Sequence, residues 1–494
     1  MRFLLLLLLL TSSANQAQED PEKRAADLVK QAEALAAKGS FEQARAIYLL
    51  IVKKYATTKV STVAAYRAGD NSLVGWDLMH EGGNWRNRCN VHFMGDSYLY
   101  TDQDQRSFGG LAKANMHAMF EEIAFKEYKQ YFNYWRLYLA SKESGTTTAN
   151  KKFDTALGGR AEGGTYGIDP IKAQSISDHM PIKDGVWIMI IRHGGGTPMA
   201  GVLYAGEAGV LVHEFGHTFG GLGDEYTSEV HGGMGNRGVN RQYNLSDVGD
   251  PDKVPWAHWF KNGEYARATG IGVHEGGNAA TKGQWRPTPG NCCMAGGGPF
   301  CAVCREQIVI MIYNRVNPID DSSPFLEPVA IKLKKSGETF TIADPRQVPW
   351  VLPMQPTAHK LTVKWSLKKT SDEPGSATAT GPSQPSQQDP TYQDPAADPQ
   401  AVPDRQFSKP PFEGEVMGSL LRAGDAKGRP IESPDFTKVK WSPGRWLLTV
   451  DVRDEMSYDL ADPLTKKKVR VPWVVKDESN RLIERRAWDL VVKE

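Results

Sequence analysis

Apolar and small residues recur at helical spacing near the start of the chain. Leu28, Ala32, Leu35 and Ala36 form one run, and Ala44, Ile47, Tyr48, Ile51 and Tyr55 a second. Between them Gly39 suits a helix C′ position, and Ser40 with Gln43 makes a capping-box pattern. The spacing predicts two antiparallel helices over residues 20–67. Further on, Val91–Phe93 starts a short strand that ends in Gly95-Asp96-Ser97-Tyr98. Met116–Leu139 is rich in aromatic residues and reads as mostly helical, and Val186–Ile191 is a continuous apolar run, the pattern of a buried strand. A glycine turn follows at Gly194–Gly196, and a helix is expected from about Gly206 to Phe219. Strands and helices mix across residues 88–320, so a layered α+β or α/β domain is expected there.

The last part of the chain alternates. Ala330–Ile342, His359–Leu367, Gly444–Asp454 and Val469–Val475 each read as a strand bounded by turn residues. Residues 371–411 between them are dominated by Pro, Gln, Ser, Asp and Ala, a composition that cannot bury enough apolar surface to offset its ordering entropy. That segment is expected to be a flexible linker or a long loop. The pieces on either side, 325–370 and 412–494, are expected to form one sandwich-like β domain interrupted by it.

Composition narrows the function classes. The chain has 494 residues, 40% apolar and 24% charged, with a formal net charge of +1. That is a globular profile without the basic excess of a nucleic-acid binder. No apolar run reaches the roughly 20 residues needed to cross a bilayer as a helix. At the N-terminus Arg2 precedes the apolar run Phe3–Leu10, and small or polar residues follow from Thr11 to Ala14. Residues 1–17 therefore read as a secretory signal peptide cleaved around Ala14–Ala17, which implies a secreted or cell-envelope (periplasmic or extracellular) protein in an oxidising space.

The stretch that carries chemistry is Val212-His213-Glu214-Phe215-Gly216-His217. Residues four apart share a helix face, so His213 and His217 can hold one metal ion, and imidazole suits zinc. Glu214 is placed to act as general base towards water at that metal. The chance expectation for this five-residue pattern in a chain of this length and composition is about 1%. A catalytic zinc site takes three protein ligands. After His217 the chain reads Thr218-Phe219-Gly220-Gly221-Leu222-Gly223-Asp224-Glu225-Tyr226. Gly220 is expected to end the helix through a positive φ, and the glycines permit a tight return to the metal. This resembles the metzincin pattern, except that the metzincin third-ligand position is Gly223 and carries no donor. Asp224, one residue later, is the expected third ligand, with Glu225 and His231 as alternatives. Tyr226 reads either as a donor near the reacting groups or as a core tyrosine. The metzincin resemblance implies a methionine turn beneath the metal, a role that Met294 in Asn291-Cys292-Cys293-Met294 fits; an ordinary core methionine is the alternative.

Five cysteines cannot all pair within one chain. Cys292, Cys293, Cys301 and Cys304 cluster, and in a secreted protein a disulfide among them is the first expectation. A structural zinc site is the rival, although only Cys301 and Cys304 have knuckle spacing. Cys89 is either the leftover thiol or a partner for the cluster. His193 reads as a turn residue, and His179, His231, His258 and His274 as surface or structural. Asp96 and Tyr98 are expected to organise the core near the site rather than to act in it.

Two resemblances follow. The segment AAKGSFEQARAIYLLIVKKY resembles one tetratricopeptide unit; a plain helical hairpin is the simpler reading, docked on the next domain or on a protein partner. The stretches NVHFMGDSYLYTDQDQRSF, HEFGHTFGGLGDEY and CCMAGGGPFCAVCREQI together resemble the IgA-peptidase family of secreted zinc metallopeptidases, over residues 88–315 or so. The resemblance implies a metzincin-like zincin domain over residues 88–320. It further implies a zinc endopeptidase with His213, His217 and an acidic third ligand, acting on a protein or peptide substrate. Immunoglobulin A as the particular substrate is not implied. Two other functions are compatible with the residues. One is a binding module built on a vestigial zincin domain, against which the intact Glu214 weighs. The other is a zinc amidase acting on a non-protein amide.

Overall fold

The computed structural model describes residues 20–37, 41–68, 72–162, 165–180, 182–193, 202–204, 210–228, 242–324, 328–373, 415–417, 419–422 and 429–494. The expected signal segment 1–17, the Lys38–Ser40 turn, the Gly194–Gly196 turn, His231 and nearly all of the 371–411 segment lie outside them. Among the described residues no helix is long and apolar enough to cross a membrane.

The described residues open with three helices, Pro21–Ala37, Phe41–Lys54 and Lys59–Ala68, where the sequence pattern predicts two. Ala25, Ala32, Ala44, Tyr48, Ile51, Ala64 and Ala68 fill the space between them. The inner side of the third helix is mostly alanine, too weak an apolar signal to stand out. The Arg67 guanidinium lies 4.9 Å from the centroid of the Tyr100 ring and so touches the next layer.

That layer is a five-stranded sheet in the order Leu73–Glu81, Phe132–Leu139, Cys89–Asp96, Val186–Ile191, Val202–Tyr204. The first pair is antiparallel and the other three are parallel. A parallel neighbour needs a long crossover, and the helix Asp102–Glu121 provides it between Cys89–Asp96 and Phe132–Leu139. The helical reading of Met116–Leu139 is therefore wrong in its second half: residues 132–139 are a strand. That strand is paired on both edges, and its side chains are buried or half-buried on both faces. Its aromatic residues, Phe132, Tyr134, Trp135 and Tyr138, fall on both faces instead of one. Val186–Ile191 is the strand the apolar run predicts.

Asp96 ends the central strand and accepts four hydrogen bonds. Its partners are Leu157 N (3.0 Å), Gly159 N (3.2 Å), the Thr155 hydroxyl (3.0 Å) and the Tyr166 hydroxyl (2.8 Å). It holds Thr155, Leu157, Gly159 and Tyr166 at the end of that strand.

The histidine helix, Leu211–Thr218, packs on this layer through Phe215 and Phe219. Phe125 stands edge-on to both, at 5.4 and 6.4 Å between ring centroids. The helix Ala302–Tyr313 packs beside it, with Ile308 at the Gly220 turn, and carries Glu306, which is fully buried. Glu306 accepts from His258 (2.7 Å), Trp259 Nε1 (2.7 Å) and the amide of Val475 (2.6 Å), tying this helix to the C-terminal part of the chain. His258 is thus structural.

The C-terminal part holds a six-stranded and a four-stranded sheet. In the larger one, Ile483–Lys493 lies between Val329–Ser336, to which it is parallel, and Gly444–Arg453, to which it is antiparallel. This eleven-residue strand escapes the sequence pattern because Glu484, Arg485, Arg486 and Asp489 interrupt its apolar positions. Ala330–Ile342 is two strands around Gly337 (φ +64°), not one. Trp365 and Trp488 stack at 5.8 Å within the same hydrophobic cluster that contains Phe215 and Met294. The content is α+β throughout, with one core continuous from the histidine helix to the larger C-terminal sheet.

Candidate metal centre

The helix carrying the histidines is short, Leu211–Thr218, and residues 205–209 before it are outside the described set. His213 and His217 stand one turn apart on it, and the chain then reverses. Gly221, not Gly220, takes the positive φ (+62°). Gly220 is required for another reason: a Cβ there would lie 2.7 Å from the Gly216 carbonyl and 2.8 Å from Ile308 Cδ1. Gly223 is gripped on both sides by Asn244, whose Oδ1 accepts its N–H at 2.7 Å and whose Nδ2 donates to its carbonyl at 2.8 Å. This clamp is not visible in the sequence, because Asn244 arrives from a distant segment.

The reversal delivers Asp224. Its Oδ1 is 3.0 Å from His213 Nε2 and 3.2 Å from His217 Nε2, and the two Nε2 atoms are 3.2 Å apart. Each imidazole is oriented from behind. His213 Nδ1 donates to the Cys293 carbonyl at 2.9 Å, and His217 Nδ1 donates to the Leu222 carbonyl at 2.7 Å. With both Nδ1–H groups committed to carbonyls, the Nε2 atoms face Asp224 as lone-pair donors. Three acceptors meeting edge to edge repel unless a proton or a cation sits among them. The triangle matches a metal: ligands at about 2.0–2.1 Å in a tetrahedron stand roughly 3.3 Å from one another. The side chains of His213, His217 and Asp224 are 17%, 19% and 25% exposed, so one side of the triangle is reachable from solvent.

The same contacts favour positive charge at the centre of the triangle. Burial disfavours the charged form of both histidines, but the Asp224 carboxylate outweighs it and raises both. Burial acts on Asp224 in the opposite sense to its two histidine partners, which prevail and hold its carboxyl well below the usual range. Glu214 is buried, and its charge acts on His213 and on Tyr226. Tyr226 is 38% exposed, which removes the core reading, and its ring lies 6.4 Å from that of His213 at 27°. Burial and the Asp224 charge push its hydroxyl up to about 12.

Met294 lies directly under the histidine helix, fully buried. Its Sδ would stand 2.5 Å from a Cβ on Gly216, so the glycine inside the histidine motif exists to admit it. Glycine costs a helix about 1 kcal/mol relative to alanine, and the close approach is what that cost allows. The same turn supplies the Cys293 carbonyl to His213, and the Met294 carbonyl accepts the Glu225 N–H at 2.6 Å. One short turn therefore contacts the helix, a histidine and the chain next to Asp224.

Glu225, the alternative third ligand, points away. It is fully buried and accepts from Asn244 (3.0 Å), Thr288 (3.0 Å) and the Cys304 thiol (3.0 Å). No two of the five cysteines are bonded to each other, against the expectation of a disulfide. The Sγ atoms of Cys292 and Cys304 are 3.8 Å apart, far from the ~2.05 Å of a disulfide. Cys89 is buried away from the cluster, against the carbonyl of Ile312. His193 is exposed.

The family model of IgA Peptidase M64 matches residues 78–165. That stretch holds the central strands and the crossover helix and ends before the histidine motif. No curated protein matches the chain. The family match supports a peptidase, hence a hydrolase whose substrate is protein. Peptidases of that family are metallopeptidases, and a three-donor cluster able to hold a metal is present in this chain.

Proposed function

We propose that the protein is a secreted, zinc-dependent endopeptidase whose zinc ligands are His213, His217 and Asp224 and whose general base is Glu214. The observation that carries this reading is the convergence of three lone-pair donors at 3.0–3.2 Å beside a buried glutamate. Two imidazoles and one carboxylate suit zinc, and bound zinc supplies Lewis acidity towards a carbonyl and a water. The chain's own residues do the rest. The Cys293 and Leu222 carbonyls keep both imidazoles in the tautomer that presents Nε2. The Glu214 carboxylate accepts a proton from the attacking water and delivers it to the departing amide nitrogen. The Tyr226 hydroxyl, hydrogen-bonded to Asp224, is the donor that turns to the oxygen of the scissile carbonyl. Secretion rests on the N-terminal sequence pattern.

The test pairs two variants with the wild type. Glu214→Gln keeps its metal and loses cleavage of a denatured protein substrate by about 10²–10⁴-fold. Asp224→Ala holds one equivalent of metal fewer than the wild type by elemental analysis. Cleavage by Glu214→Gln at the wild-type rate, or equal metal in Asp224→Ala and wild type, overturns the assignment.

A further inference from the structure

A second donor cluster sits behind the first. The Sγ atoms of Cys292, Cys301 and Cys304 and a carboxylate oxygen of Glu225 all lie within 4.8 Å of one another. We propose that these four residues form a second, closed metal centre, a structural zinc site that braces the catalytic loop. The proposal does not rest on the peptidase reading, since none of its ligands belongs to the histidine site.

Four observations support it. The first is spacing. Sulfurs bound to zinc at about 2.3 Å in a tetrahedron stand about 3.8 Å apart, and Cys292 Sγ and Cys304 Sγ are 3.8 Å apart. The second is the hydrogen bonding of the sulfurs. The Cys301 N–H points at Cys292 Sγ (3.4 Å) and the Cys304 N–H at Cys301 Sγ (3.5 Å). Amides aimed at sulfur stabilise a thiolate more than a thiol. The third is position: Cys301 caps the twelve-residue helix Ala302–Tyr313, and Cys304 lies in its first turn, where the helix dipole favours negative charge. The fourth is Glu225. Among the described residues its fully buried carboxyl accepts from the Asn244 amide, the Thr288 hydroxyl and the Cys304 thiol, all of them neutral. A buried carboxylate is costly unless a cation compensates it, and a divalent metal at this point supplies one. Three soft sulfurs and one oxygen suit zinc. Four protein ligands leave no open position, the mark of a structural site.

The consequence for the rest of the molecule follows from the chain. Glu225 is the residue after Asp224, and Cys292 is the residue before Cys293, whose carbonyl orients His213. A metal joining Glu225, Cys292 and the head of the Ala302–Tyr313 helix cross-links the three segments that set the position of Asp224 and of the methionine turn.

The experiment uses the full chain, purified without chelator, and its His213→Ala/His217→Ala double variant, which leaves every cysteine in place. Metal is counted by elemental analysis, and zinc is then exchanged for cobalt(II). The expected result is that the double variant retains one equivalent and that its cobalt form shows the intense near-ultraviolet absorption of thiolate-to-cobalt charge transfer. Cys301→Ser in the double-variant background loses that band. A double variant with no metal, a cobalt form without the sulfur band, or a disulfide among these cysteines in peptide maps of the purified protein overturns the proposal. The two readings fail separately. Metal in the wild type that vanishes with both histidines removes this site and leaves the peptidase one. A sulfur-bound equivalent that is identical in wild type and double variant, with no other metal, does the reverse.

Discussion

His359 joins Glu127, beside the five-stranded layer, to Asp454 at the C-terminal sheets, and its charge is expected to set the alkaline limit of stability. Its Nδ1 lies 2.7 Å from Glu127 Oε1 on one side and its Nε2 2.9 Å from Asp454 Oδ1 on the other. Asp454 also accepts from the Tyr128 and Tyr313 hydroxyls, at 2.7 and 2.6 Å. Burial opposes the imidazolium, but the bonds to Asp454 and Glu127 prevail and raise its pKa from 6.5 to about 9. The folded value lies above the unfolded one, so the stabilisation is complete below pH 6.5 and is lost as pH rises through 9. Moving from 6.5 to about 9, at about 1.36 kcal/mol per pH unit, gives a ceiling of about 3 kcal/mol. The side chain is 15% exposed, so solvent screening removes little of it. The assay is urea unfolding of wild type and His359→Gln at about pH 6 and about pH 10, with the difference between the two proteins taken at each pH. Glutamine keeps a hydrogen-bonding side chain and cannot become charged. The difference is expected to narrow by about 3 kcal/mol from the lower to the higher pH. Curves that stay parallel would refute the argument.

Two further substitutions test the frame of the site. Gly220→Ala places a Cβ 2.7 Å from the Gly216 carbonyl, which the helix holds in place; the expected loss is about 1–3 kcal/mol in urea unfolding, together with weaker metal retention on dialysis. A variant as stable as wild type would show that the turn after His217 has room to spare. Asp96→Asn turns one acceptor edge into a donor facing the amides or hydroxyls it served; about 1–3 kcal/mol is expected to be lost, with faster hydrogen exchange at Leu157 and Gly159. Unchanged protection at those two amides would remove Asp96 from its organising role.

The sequence by itself determined what is local. His213 and His217 face the same way because a helix repeats every 3.6 residues, and Asp224 follows closely enough for a glycine-rich reversal to bring it back. The buried strand Val186–Ile191 and the alternating strand Gly444–Arg453 were legible for the same reason: their burial is written in the period of the chain. The aromatic run 132–139 was not, because a strand buried on both faces has no period to distinguish it from a helix. Only the tertiary structure decided which of two adjacent carboxylates turns to the histidines and which turns to the cysteines. Asp224 and Glu225 have the same chemistry and neighbouring positions, and what separates them is Asn244, Thr288 and the Met294 carbonyl, which approach from remote segments. The same holds for Gly216, whose missing Cβ has meaning only once Met294 lies beneath it. Contacts between segments far apart in sequence depend on how layers pack, and packing is a property of the whole core rather than of any short stretch.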